Sequence, residues 1–427
     1  MSAGTAPPAQ RAAPFPAQAL RTQFPALLRA GGFSFLDNAA GAQVPQVVLD
    51  AVNRHLIEHN VQRGGRYPQS VAVDDMIRRA REYVGRFVNA RRPEEIAFGM
   101  NATSFIRLIS LAIGQGLGYR NEIVVSELDH EANIATWQAL QRMGAAFRWW
   151  RMRDDGCLHS EDLQRLLGAR TRLVACTLAS NALGSLLAAR ATADLVHAAG
   201  GELFLDAVHY APHAPLDVQA IECDYLVCSG YKIFAPHMGF LWGRYELLAK
   251  LATFREDFIP DEPPGKVEAG TFVYENVAGM AAAIEYLAQL GRMLAGKSAA
   301  NSGQPQRDDI CTAMEGIRSY EQSLSLELLR LLRDCGAEIY GLRDESRVAE
   351  RVPTALFNLP GVSPAAVTEA AARAGIGIRD GHMYSPHLMQ RLGLSMDTGA
   401  VRVSLVHYNT SSELQRLAQL LRQLGKR

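Results

Sequence analysis

The chain is poor in lysine: five lysines stand against 39 arginines among 427 residues. It has no excess of charge of either sign, since Lys+Arg and Asp+Glu both total 44. That balance leaves no electrostatic footprint for nucleic acid or for an anionic membrane, so neither is expected as a partner. No apolar run approaches the ~20 residues that span a bilayer. The six cysteines (Cys157, Cys176, Cys223, Cys228, Cys311, Cys335) form no CxxC pair and no zinc spacing. That pattern predicts no metal site and reduced thiols in a cytoplasmic protein. The opening "MSAGTAPPAQRAAPFPAQAL" has no apolar signal-peptide core; it reads as a flexible tail or arm covering residues 1–30.

Hydrophobic residues at 48% and charged residues at 21% are the proportions of a globular protein. From residue 94 onward, short apolar runs alternate with amphipathic stretches. "EIAFG" precedes "TSFIRLISLAIG", "NEIVVSE" precedes "EANIATWQALQRMG", and "TRLVACTLAS", "ELFLD" and "DYLVCSG" follow. Continuous apolar strands between helices predict a mainly parallel sheet covered on both faces, an α/β fold. The expected division is a large domain over 31–285 and a smaller α+β domain over 286–427, joined near 275–295. "AGKSAANSGQPQRDD", residues 295–309, reads as a mobile surface loop. "GQGLG" (Gly114 to Gly118) follows a helix rather than a strand, so it reads as a turn and not a dinucleotide loop.

In a parallel sheet, ligands sit beyond the carboxyl ends of the strands, and four such positions carry chemistry. Asn101, Ala102 and Thr103 stand at a strand-to-helix junction suited to a phosphate, or to plain helix capping. Asp206 ends an apolar strand, where a buried carboxylate needs a cationic partner: a protonated pyridine nitrogen, an arginine, or a helix N-terminus. His130 follows another strand and is either a stacking group for a flat cofactor or an ordinary capping or core histidine. Lys232, one of the five lysines, stands after "VCSGY". A partly desolvated lysine has a lowered pKa and forms a Schiff base with an aldehyde; an exposed one only lays its stem along apolar neighbours. A phosphate cradle, a ring stacker, an acid and a lysine after successive strands are together the set that pyridoxal phosphate needs.

The stretches "DNAAGAQVP", "NATSF", "LDHEAN", "SNALG", "LDAVHYAPH", "CSGYK", "EAGT" and "VRVSLVHYNT" occur in this order. From about Phe35 to its end the chain resembles the class V aminotransferase, or cysteine desulfurase-like, family of fold-type I pyridoxal-phosphate enzymes. The resemblance implies that Lys232 carries the cofactor, Asp206 pairs with its pyridine nitrogen and His130 stacks on its ring. It implies that His209 stands where relatives have a glutamine that contacts the ring hydroxyl. Asn101, Ala102, Thr103, Ser229 and Tyr231 would hold the phosphate, with Tyr231 replacing the usual histidine. Thr271 would reach the phosphate of a neighbouring subunit, which implies a homodimer. Asn181 and Arg402 would hold an amino-acid substrate's carboxylate, or Arg402 would form a structural ion pair. Arg63, in "NVQRGGRYPQS", would help read the substrate or make a dimer contact.

One stretch departs from the family. Where desulfurases carry a persulfide-forming cysteine, this chain has "RDGHMYSPHLM" with Tyr384 at that place. A phenol forms no persulfide. The expected activity is therefore deprotonation at Cα of a cofactor-bound amino acid followed by C–S cleavage of cysteine or a cysteine derivative. Transamination and epimerisation are the alternatives. Tyr384 would either protonate the leaving group or line the pocket.

Overall fold

The computed structural model describes residues 14–297 and 303–425. Seven strands form the central sheet: β1 Ile96–Gly99, β2 Glu122–Ser126, β3 Ala146–Trp150, β4 Thr171–Thr177, β5 Glu202–Asp206, β6 Tyr225–Ser229 and β7 Gly239–Gly243. Their spatial order is β1-β7-β6-β5-β4-β2-β3. Only β7 runs against its neighbours; the pairs among β2 to β6 are parallel. Every residue of β2, β6 and β7 is buried, which is why these strands read as unbroken apolar runs rather than alternating ones. The period of two survives in what each residue touches. Leu226 and Cys228 join the hydrophobic layer on one face of the sheet, and Tyr225 and Val227 join the layer on the other.

The helix Ala102–Gln115 follows β1 and buries Phe105, Ile106, Ile109 and Ile113, a spacing of three and four that makes one apolar stripe. The segment expected to join the domains is a helix, Tyr274–Leu294, packed against the helices Gln46–Glu58, Pro68–Val88 and Arg307–Asp334. Beyond it lies a four-stranded antiparallel sheet of β8 Glu338–Tyr340, β9 Thr354–Asn358, β10 Arg379–Gly381 and β11 Ala400–Ser404, in the order β10-β11-β9-β8. The closing helix Ser411–Leu424 opens with a reciprocal cap between Thr410 and Glu413 and packs Leu414, Leu417 and Leu421 on this sheet. No helix among the described residues is long and apolar enough to cross a membrane.

Two segments differ from the sequence expectation. Residues 1–13 of the expected flexible tail lie outside the described residues. The rest folds: Ala17–Leu20 and Pro25–Arg29 are helical. Leu20 and Phe24 are buried, and Arg21 donates to the Tyr408 carbonyl and pairs with Glu413. Alanine and proline dominate the composition there, but Phe24 supplies the energy. Its ring meets Tyr408 at 4.9 Å, Tyr286 at 5.7 Å and Phe234 at 6.4 Å. Truncating this side chain by Phe24→Ala is expected to cost about 3–5 kcal/mol, read as a fall in the urea midpoint at fixed protein concentration. The expected loop 295–309 is also shorter than foreseen. Residues 298–302 lie outside the described residues, and a helix already begins at Arg307. Asp309 in its first turn is buried and held by Arg292 at 3.1 Å and Lys297 at 2.7 Å.

Candidate active site

The carboxyl ends of β2, β4, β5 and β6 meet at one edge of the sheet, and a pocket opens there. Ala102, Thr103, His130, Asn181, Asp206, His209, Ser229, Tyr231 and Lys232 line it, together with Thr177, Val208, Ile106 and Ala132. After β6 the chain turns at Gly230, where a Cβ would stand 2.6 Å from the Pro236 carbonyl. A 3-10 turn, Gly230–Lys232, then carries the lysine inward. Lys232 is 5% exposed. Burial, reinforced by the Arg402 charge and opposed by Asp206, lowers its pKa to about 8. An amine in that range is neutral for an appreciable fraction of the time near neutral pH.

Asp206 ends β5 with its carboxylate buried. One oxygen accepts the Val208 N–H at 2.8 Å. Burial raises its pKa, while the Val208 hydrogen bond and the Lys232 charge hold it down. Behind it lies a second carboxylate that the sequence reading passed over. Asp129 accepts hydrogen bonds from Ser126, from Asn133 at 2.7 Å and from the Thr177 N–H at 3.1 Å. Burial still pushes its pKa up to about 8. The neighbouring His130 accepts the Ala132 N–H on Nδ1 at 3.1 Å, which leaves the ring proton on Nε2. Burial first, then Lys232 and Arg402, lower its pKa to about 4. This imidazole is neutral at pH 7.

The other end of the pocket is made from hydroxyls and a helix N-terminus. The Ser229 hydroxyl accepts the Ala102 N–H at 3.2 Å, and Thr103 lines the wall beside it. The Asn101 side chain is taken up by capping, accepting from the Ser104 N–H at 2.9 Å and its hydroxyl at 3.0 Å. Gly239 lets this helix start approach β7; a Cβ there would stand 2.5 Å from the Asn101 backbone. Tyr231 stacks on His237 with ring centroids 5.3 Å apart. His209 bonds through Nε2 to the Thr354 hydroxyl at 3.0 Å, and its Nδ1 is buried without a partner.

Five of the sequence candidates stand outside the pocket lining: Asn101, the helix cap just described, and Arg402, Tyr384, Thr271 and Arg63. Arg402, 3% exposed, is an ion-pair partner of Asp37 at 2.9 Å and donates to the Asn181 carbonyl at 2.9 Å; its Nε has no partner. Asp37 also pairs with Arg379 at 2.9 Å, so one carboxylate aligns two arginines. Tyr384 is 54% exposed at the rim, its ring 5.5 Å from that of His130. It and Met383 take successive left-handed conformations, φ +56 and +52, and the Tyr384 carbonyl accepts the Glu131 N–H at 2.8 Å. Thr271 and Arg63 are exposed. Thr271 accepts from Gln62 and Arg63 pairs with Asp74 at 3.0 Å, so within one chain they do not reach the lysine pocket. The Asn181 side chain lines the pocket but donates to the Met383 carbonyl at 2.8 Å.

The chain as a whole has known relatives. The family described as aminotransferase class V matches residues 34–307 and 309–417. A probable cysteine desulfurase of Synechocystis is 33% identical over 95% of this chain and 94% of its own length. A cysteine desulfurase of Synechococcus elongatus is also 33% identical, over 91% of this chain, which spans only 60% of that protein. Among solved structures, a cysteine desulfurase of Thermococcus onnurineus, at 24% identity, shares the fold with a TM-score of 0.84 over 96% of this chain and 98% of its own. The cysteine desulfurase CsdA of Escherichia coli is 25% identical with a TM-score of 0.80 over the same shares. With its lysine turn at the end of a mainly parallel sheet, and with a match running almost the length of the sequence, the chain belongs to the class V aminotransferase family, pyridoxal-phosphate-dependent enzymes of fold type I.

Proposed function

We propose that the protein cleaves the Cβ–S bond of cysteine or a cysteine derivative, releasing sulfide or a thiol respectively, with Lys232 as covalent anchor of pyridoxal phosphate and base at the substrate Cα. The observation that carries this reading is a buried lysine sharing one pocket with Asp206, His130 and His209, with no cysteine in its lining among the described residues. The donor set suits the cofactor piece by piece. Lys232 supplies an amine for an aldehyde, and Asp206 a carboxylate for a protonated ring nitrogen. The Nδ1 of His209, unpartnered in the protein, would be free to meet a ring oxygen, and His130 would supply a neutral face for stacking. Ser229, Tyr231, Thr103 and the start of the helix Ala102–Gln115 supply hydroxyls and N–H groups for a phosphate. Asn101 contributes through its position at that helix start, since its side chain is the cap.

Bound pyridoxal phosphate supplies a sink for the electron pair left when Cα loses its proton. Lys232 takes that proton, a task suited to an amine whose pKa lies near the working pH. Asp206 would supply the carboxylate for a protonated ring nitrogen. Arg402 and Asn181 hold the substrate carboxylate, with Asp37 keeping the arginine fork in place. Thr271 and Arg63 act across a homodimer interface, which accounts for their exposure in the single chain. The balance is one cysteine derivative plus water giving one thiol, one pyruvate and one ammonium ion.

Sulfur chemistry enters through the relatives' description as cysteine desulfurases. Departure as a free thiol, rather than as a protein persulfide, follows from the cysteines. Cys157, Cys176, Cys223 and Cys228 are buried, and burial holds the thiols of all six cysteines above the usual range. The deciding experiment incubates the holoprotein with cysteine, S-alkyl and S-aryl cysteines, and amino acid plus 2-oxo acid pairs. Sulfide from cysteine, or the thiol from an S-substituted cysteine, in equal amounts with pyruvate supports the proposal. Alanine with a protein persulfide, a new amino acid, or a D-isomer supports a desulfurase, a transaminase or an epimerase instead. Tyr384 at the rim is assigned the protonation of the departing sulfur. Tyr384→Phe is expected to slow release of alkyl thiols about 10²-fold and to leave aryl thiols, which depart as stable anions, nearly unaffected. Rates against thiol pKa give the test.

A further inference from the structure

His209 is steered from the small sheet. Its Nε2 lies 3.0 Å from the hydroxyl of Thr354, 145 residues further along the chain and the first residue of β9. Both side chains are buried, Thr354 completely. A threonine hydroxyl has one proton to donate, and among the described residues the His209 nitrogen is the partner of this one. An O–H buried without an acceptor loses its hydration uncompensated. Nε2 therefore accepts, and the ring's own proton resides on Nδ1, the nitrogen that has no partner in the protein. The ring is kept uncharged first by burial and then by the charges of Lys232 and Arg402, with the likewise uncharged, buried His213 beside it and Asp206 on the same pocket wall. A neutral imidazole has only one N–H, so fixing its tautomer decides whether the pocket meets a donor or an acceptor.

Neither partner is free to swing. The His213 ring stands edge-on to His209 at 5.3 Å and 79°, and His213 is tied to Glu321 at 2.7 Å. The backbone of Thr354 is fixed by pairing with Ser404 of β11, by its N–H to the Val352 carbonyl and by Arg351 on its own carbonyl. That carbonyl would stand 2.6 Å from a Cβ at Gly184, which leaves no slack on that side.

We propose that Thr354 is a positioning residue for the cofactor site: its hydroxyl, donating to His209 Nε2, fixes the tautomer that presents Nδ1–H to an oxyanion of the bound ring. This rests on the cofactor reading of the pocket given above. The donor takes up negative charge on the ring oxygen. Without it, charge on that oxygen would favour the protonated form of the lysine–cofactor link, and the visible absorbance band would titrate at higher pH.

The test is a pH titration of that band in the holoprotein, in wild type, Thr354→Val, Thr354→Ser and His209→Ala. Thr354→Val, nearly isosteric, is expected to raise the apparent pKa of the band by about half a unit or more. His209→Ala is expected to raise it in the same direction, and Thr354→Ser to titrate with the wild type. A valine variant that titrates as wild type, or a serine variant that shifts like valine, overturns the proposal. The tautomer is read separately in cofactor-free protein from the 15N shifts of the His209 ring. A pyridine-type Nε2 and pyrrole-type Nδ1 are expected in wild type and Thr354→Ser, and the reverse pattern overturns the proposal. A wild type that takes up no coenzyme defeats the reading of the pocket itself, and the 15N measurement still decides the role of Thr354.

Discussion

Lys232→Ala protein, purified and mixed with pyridoxal phosphate, shows no protein-bound visible band in the absence of an added amine, and its turnover falls by at least about 10⁴-fold. The size of the effect follows from two roles resting on one nitrogen, covalent anchor and base at Cα. No other described lysine reaches this pocket. A band that persists in the alanine variant without added amine overturns the assignment. The same nitrogen sets a pH dependence in cofactor-free wild type. The nucleophile is the neutral amine, and the buried Lys232 has its pKa lowered to about 8. Below that value the neutral fraction falls about tenfold per unit, so the rate of band formation rises with pH up to about 8 and levels off above it. Stopped-flow absorbance between pH 6 and 10 measures this. A rate still climbing tenfold per unit at pH 10 means a lysine of ordinary basicity in water.

The sheet and the ends of its strands were readable because both depend on local pattern. Unbroken apolar runs such as "YLVCS" and "ELFLD" mark strands buried on both faces. Parallel pairing then places the residues after them, Ser229 to Lys232 and Asp206, at one edge with no further information. What was not readable depends on partners that only the folded chain brings together. Arg402 is 365 residues from the carboxylate it pairs with, and nothing near Thr354 signals His209. Asp129 stands one position before His130 in "LDHEAN", and no local pattern marks it, because its contact with the Thr177 N–H at the end of β4 exists only in the folded chain. The N-terminal segment misled for another reason. Composition averages over a stretch, whereas Phe24 buries one large side chain in a cage of Tyr286, His407 and Tyr408, and the short helices around it follow that anchor.

Asp206→Asn is the second large effect. Asparagine keeps the shape of the side chain and an oxygen for the Val208 N–H, the hydrogen bond that holds the carboxylate now. It removes the charge. Folding therefore suffers little, since burial already opposes that charge and raises the pKa of Asp206. With the cofactor bound, a neutral side chain no longer favours the protonated ring nitrogen, and the electron pair at Cα loses part of its stabilisation. Turnover is expected to fall about 10³-fold, the size of losing one preorganised charged contact to the reacting system. The visible band remains, because Lys232 still makes the covalent link. A matched fall in kcat and kcat/KM, with KM nearly unchanged, identifies an interaction used only in the transition state. Loss of the band together with activity places Asp206 instead in cofactor retention. Undiminished turnover with the band intact shows that this carboxylate faces no cationic ring atom, and that sinks the pairing.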